Sequence, residues 1–171
     1  ISPPWKGSAR STEMEFILKE PETDDAKKAL EVLRRWSATL SYNPDACEGI
    51  LKVSTTSLYA KYARYYLASF YQNRMTKNWY NEDLLNEAID LYRQVVADKI
   101  DVSAEAQYRI AQCYLIKEDF ATAATEAQKL IDNFSDNNIV EEAKKLLKEI
   151  EEKRKKKEIE THPQYDLGKE K

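Results

Sequence analysis

The stretch that decides the fold is Ala104–Phe134, AEAQYRIAQCYLIKEDFATAATEAQKLIDNF. It interleaves small residues with tyrosines and aliphatics, breaks at Lys117–Asp119, and repeats the pattern. Each half is long enough for about four helical turns. In each, apolar and small positions recur three and four apart, which is the spacing of one helical face. Alanines occupy the positions where the two halves would touch, so the sequence predicts two short helices folded back on each other with closely spaced backbones.

Working outward, the same grammar recurs. DAKKALEVLRRW, residues 25–36, places Ala26, Ala29, Leu30, Leu33 and Trp36 on one face after a capping Thr23 or Asp24. SYNPD, residues 41–45, ends that helix, because Pro44 disfavours helix at Asn43. A short segment through Cys47, Gly49 and Ile50 follows. From Thr56 the helical pattern resumes. Tyr59, Tyr62, Tyr66 and Phe70 share a face, with Tyr65 and Ser69 beside it. After an interruption at 73–83, Leu84, Ala88, Leu91, Tyr92 and Val95 form the next stripe. Ile139, Ala143, Leu146, Leu147 and Ile150 form the last, which fades into lysine and glutamate. Three glycines and five prolines in 171 residues are too few punctuators for a β-sandwich. The expectation is an all-α chain of six or seven helices with short turns. Residues 1–22 form an extended arm, 23–150 a helical domain, and 151–171 a charged helix end and tail.

Composition narrows the function classes. A net charge of -3 argues against a nucleic-acid binder. No apolar run approaches the roughly 18 residues of a membrane span. The basic run Lys153–Lys157 is flanked by glutamates and lacks interleaved aromatics, so it reads as a solvated helix face. Cys47 and Cys113 stand in no CxxC pattern. They read as two buried apolar side chains, or as one disulfide in an oxidising compartment. His162, the lone histidine, falls in the tail. No phosphate-binding glycine motif and no nucleophile–base constellation is present. The expectation is a non-catalytic chain with no metal and no cofactor.

The unit at 104–137 resembles a tetratricopeptide repeat, a helix-turn-helix of about 34 residues. Ile110 and Ala111 take the leucine and small positions, Tyr114 the aromatic, and Ala123 the small position of the second helix. Gln107 stands where tryptophan is usual, Leu130 replaces an alanine, and Ser135 replaces the closing proline. A second unit at 57–100 is matched by Leu67, Ala68 and Tyr71, then Ala88, Tyr92 and Val95, with about eight extra residues that hold Met75, Trp79 and Tyr80. The first helix is similar to the second helix of a degraded unit, and the last to a polar cap.

The resemblance implies a short α-solenoid of two to three units, built from antiparallel helix pairs with a C-terminal capping helix. It also implies a groove lined by Tyr62, Tyr65, Ser69, Gln72 and Asn73 from one unit and Glu105, Tyr108, Gln112 and Leu115 from the next. The family members that grip a C-terminal carboxylate do so with lysine and asparagine. Tyr65, Ser69, Tyr108 and Gln112 stand at those positions here, so that mode is not expected. Trp5, Trp79 and Tyr80 are expected partner contacts outside the groove. The run is most similar to bacterial envelope scaffolds of the family. The start at Ile1 fits either a trimmed chain or a mature chain after loss of an export signal. The expected function is a scaffold subunit that organises other protein subunits in a larger assembly, for instance a redox complex or filament. The alternative is a transient assembly factor that binds extended clients. Neither nucleic acid nor membrane insertion is expected.

Overall fold

The computed structural model describes residues 21–35, 43–75, 79–135 and 137–161. Trp5 and the rest of the arm, Trp36 and His162 lie outside these residues. The described chain is all-helical, with seven helices: α1 (Asp24–Arg35), α2 (Pro44–Val53), α3 (Leu58–Asn73), α4 (Glu82–Ala97), α5 (Ser103–Ile116), α6 (Phe120–Asn133) and α7 (Val140–Thr161). Each helix packs on the next.

Side-chain capping sets several of the starts. Thr23 Oγ1, Asn43 Oδ1, Ser57 Oγ, Asn81 Oδ1 and Asp119 Oδ1 each accept the backbone N–H three residues on, which satisfies a donor the helix cannot. The short segment through Cys47, Gly49 and Ile50 is itself a helix, α2. Pro44 ends the preceding stretch, but it also occupies the first turn of a new helix, where its missing N–H costs nothing. Gly49 lets α1 and α2 approach closely, because a Cβ there would sit 3.1 Å from Val32 Cγ1.

Paired contacts give the helix directions. Gln107 meets Glu126, and Ala111 and Ala123 share a core cluster, so α5 and α6 run antiparallel. Asn86 meets Lys117 and Val95 meets Ser103, so α4 and α5 are antiparallel too. By contrast α3 and α5 run parallel, because Tyr62 meets Asp101 and Gln72 meets Gln112, offsets of 39 and 40 residues. The core of the described residues lies in four blocks: α1–α2–α3 around Ala29, Cys47 and Ile50, α3–α4–α5 around Leu85, Tyr92 and Ile110, α5–α6–α7 around Ala111, Ala123 and Leu146, and α6–α7 around Leu130, Val140 and Ala143.

The alanines set the helix spacing. Ala68, Ala88, Ala111 and Ala123 have no exposed surface, while Tyr71 and Tyr114 pack half-buried beside them. The two cysteines are buried in different blocks and are not joined in a disulfide.

Candidate functional site

The face shared by α3 and α5 carries most of the groove residues expected from the sequence. Tyr62 is half-buried, and its phenol donates to the Asp101 carboxylate in the α4–α5 turn. Burial, followed by that bond, pushes its ionisation up. The same turn is tied to α3 by Asp98, which accepts from Arg64 at 3.0 Å and pairs with Lys61 at 3.5 Å. Asn73 Nδ2 donates to Ser69 Oγ at 3.4 Å on the outer edge.

Tyr65 and Gln72 are buried, so they contribute packing and polarity beneath the face more than contact area on it. Tyr65 stacks edge-on against Tyr66 and Tyr92, with ring centroids 5.4 and 5.9 Å apart. Burial lifts its phenol to about 12.

A chain of hydrogen bonds crosses three helices below this face. The Tyr92 hydroxyl donates to Gln72 Oε1 at 2.9 Å, and Gln72 Nε2 donates to Gln112 Oε1 at 3.4 Å. Arg109 Nη1 donates to the same Gln112 oxygen at 3.2 Å, and Arg109 Nε to Glu105 Oε1 at 2.8 Å. Arg109 was not singled out in the sequence, where it is one cation in a mixed stretch. Its place between Tyr65, Gln112 and Glu105 depends on how α3 docks on α5. Tyr108 and Leu115 lie half-buried further along, against the α5–α6–α7 cluster. Glu142 and Glu149 of α7 act electrostatically on Tyr108 and, after burial, raise its ionisation.

Chemically, this face offers amide, hydroxyl and guanidinium donors and acceptors spaced along parallel helices. Such groups pair with main-chain N–H and C=O of an extended segment, and the tyrosine rings add area at small entropic cost. Burial raises both thiols to about 12, so neither is a thiolate nucleophile near neutrality. Among the described residues, no group of three or more histidines, cysteines and carboxylates is placed to hold a metal ion. No helix among them is long and apolar enough to cross a membrane.

Trp79 and Tyr80, between α3 and α4, are 40% and 51% exposed. Arg74, at the end of α3, lies over both the Phe70 and Trp79 rings, with Cζ 5.5 and 5.1 Å from their centroids. The basic run on α7 is laced to carboxylates: Lys153–Glu149, Arg154–Glu158, Lys155–Glu151, Lys156–Glu160 and Lys157–Glu118. It is a charge-balanced helix surface, not an open cationic patch. Comparison of the chain with protein-family models, with curated proteins and with solved structures finds no match in any of the three.

Proposed function

We propose that the chain is a non-catalytic scaffold of the tetratricopeptide type, a short solenoid whose α3–α5 face binds extended segments of other protein subunits. The observation that carries this reading is that α3 and α5 run parallel, with α4 antiparallel between them. Tyr62–Asp101 and Gln72–Gln112 join α3 to α5, and Glu118–Lys157 joins the end of α5 to α7. Consecutive antiparallel helices with zero-exposure alanines between them are what stacked helix pairs produce. On this reading α1 and α2 make a pair of their own, ahead of α3–α4 and α5–α6, and α7 is the cap. Its outward residues are mostly lysine and glutamate, with Arg154 and Ile159 also exposed.

The surface on offer is Tyr62, Ser69, Asn73, Tyr108, Arg109, Gln112 and Leu115, with Tyr65 and Gln72 fixing it from beneath. Purification at native abundance, followed by size exclusion with light scattering, tests the reading. A stoichiometric complex disrupted by Gln112→Ala together with Tyr108→Ala supports it. A lone 19.9 kDa species at native abundance contradicts a permanent subunit and leaves the transient assembly factor.

A further inference from the structure

The end of the molecule where α3 stops and α4 begins carries an arrangement that the α3–α5 face does not use. Arg74 is exposed, and its Cζ lies over both the Phe70 and the Trp79 rings. Lys117, beside Tyr80, is held by Glu82 at 3.1 Å and Asn86 at 2.7 Å. Arg93 is held by Asp90 and the Tyr114 hydroxyl. No carboxylate among the described residues pairs with Arg74; its recorded partners there are the two rings. Trp79 and the adjoining Tyr80 leave 40% and 51% of their surface exposed.

A guanidinium stacked on rings keeps its edge N–H donors pointing outward in a fixed fork. Stacking on the ring faces satisfies the cation's charge but none of those donors. The group that fits the fork is a carboxylate, which it can grip through two parallel bonds. The exposed indole, with the phenol next to it in the chain, fits a flanking apolar side chain. Tryptophan, tyrosine and arginine are also the residue types that most often dominate binding energy at protein interfaces.

We infer that Arg74, Trp79 and Tyr80 form a second docking surface, separate from the α3–α5 face, for an acidic peptide segment with an aromatic or aliphatic residue next to its carboxylate. The inference does not rest on the α3–α5 reading. A phosphate-bearing polymer or an anionic lipid surface is disfavoured by the net charge of -3 and by the pairing of the cations on α7.

The test titrates the full chain with short synthetic peptides of one length: acidic with aromatics, neutral with aromatics, basic with aromatics, and acidic without aromatics. Binding is read from the Trp79 indole N–H resonance, assigned by Trp79→Phe. The acidic aromatic peptide should bind at least about tenfold more tightly than the neutral one, as a charge-assisted contact requires. Arg74→Gln should abolish that preference. Arg74→Lys, which keeps the charge but loses the planar fork, should recover only part of it. Gln112→Ala should leave binding unchanged, and matched melting curves should show that each variant is folded.

Equal affinity for neutral and acidic aromatic peptides overturns the proposal, as do undiminished binding by Arg74→Gln and no binding at all. An effect of Gln112→Ala as large as that of Arg74→Gln overturns the separate surface. Stronger binding to phosphatidylserine vesicles or to a single-stranded oligonucleotide than to the acidic peptide overturns the assignment of the partner.

Discussion

The hydroxyl of Tyr92, on a side chain with no exposed surface, donates to Gln72 Oε1 at 2.9 Å and so joins α4 to α3 inside the core. Gln72 then passes the connection to Gln112 on α5. Tyr92→Phe keeps the ring and leaves the amide oxygen short of a donor. The expected cost is about 1–2 kcal/mol of unfolding free energy, the penalty of a buried unmet acceptor. Pairing Tyr92→Phe with Gln72→Leu should recover much of this, because no polar group is then left stranded. Urea unfolding of the single and double variants checks both statements. Strict additivity would mean that the two side chains are not energetically coupled.

The alanines between paired helices should be intolerant of size. Ala111→Leu or Ala123→Leu must either push α5 and α6 apart or force strained rotamers, at about 1–3 kcal/mol each. Ala121→Leu, on the exposed side of α6, should stay within about 0.5 kcal/mol of the parent. Equal thermal shifts for buried and exposed sites would contradict the close packing.

These alanines were legible in the sequence because helical periodicity reports which positions face a neighbour. Ala88 was placed that way, and Ala68, Ala111 and Ala123 by the resemblance to a repeat unit; all four are fully buried. Helix α2 was not legible, since Pro44 is equally a stop signal and a first-turn residue. What separates the two is the side chain of Asn43 accepting from Ala46 N–H. The site was read less well than the fold. Tyr65 and Gln72 have the right helical phase for an open face, but Tyr92 on α4 and Arg109 on α5 close over them. Those contacts come from the docking of three helices, which no single-helix pattern encodes. Arg74 escaped for a similar reason, because its stacking depends on where the chain returns at Trp79.

The buried phenols and thiols should make the fold sensitive to alkali. Cys47 and Cys113 are raised from 9.0 to about 12, Tyr65 from 10.0 to about 12, and Tyr62 and Tyr92 are raised as well, all with burial as the leading cause. Above the ordinary values the unfolded chain releases these protons while the folded chain retains them. Stability is therefore intact below pH 9 and falls as pH rises from there toward 12, at a slope set by the excess protons held by the native state. Denaturant midpoints across this range check the sign. The native thiols should also react slowly with a disulfide reagent at about pH 8, and at full rate once unfolded.

Lys99 ends α4 with φ of 52°, in the left-handed region where a side chain is strained. Its backbone N–H caps Val96 O, so the conformation has a purpose that glycine can serve without strain. Lys99→Gly should stabilise the chain by about 0.5–1 kcal/mol after the larger entropy loss of glycine on folding is counted. Glu118 has the same geometry, with φ of 58°, but its carboxylate also pairs with Lys157. Glu118→Gly relieves strain and loses a contact, so it should gain less than Lys99→Gly. A larger gain at 118 would mean that the Lys157 pair contributes nothing.

The C-terminal helix divides into two energetic halves. From Val140 to Ile150 it buries Val140, Ala143, Leu146 and Ile150 against α5 and α6. Residues 151–160 are all exposed, and Lys157 ties them to the body by pairing with Glu118 and lying over Phe120, 5.7 Å from the ring centroid. The rest of that half is supported by its own pairs four residues apart, each worth a few tenths of a kcal/mol. A chain ending at Glu152 should therefore keep its cooperative unfolding and lose no more than about 1 kcal/mol. A chain ending at Lys145 removes Leu146 and Ile150 and bares Ala111, Ala123 and Ala127, so it should lose several kcal/mol and lower the protection of α5 and α6 amides from hydrogen exchange. If the shorter cut were as mild as the longer one, α7 would not be closing the core, and α6 would have to be stable with one face uncovered.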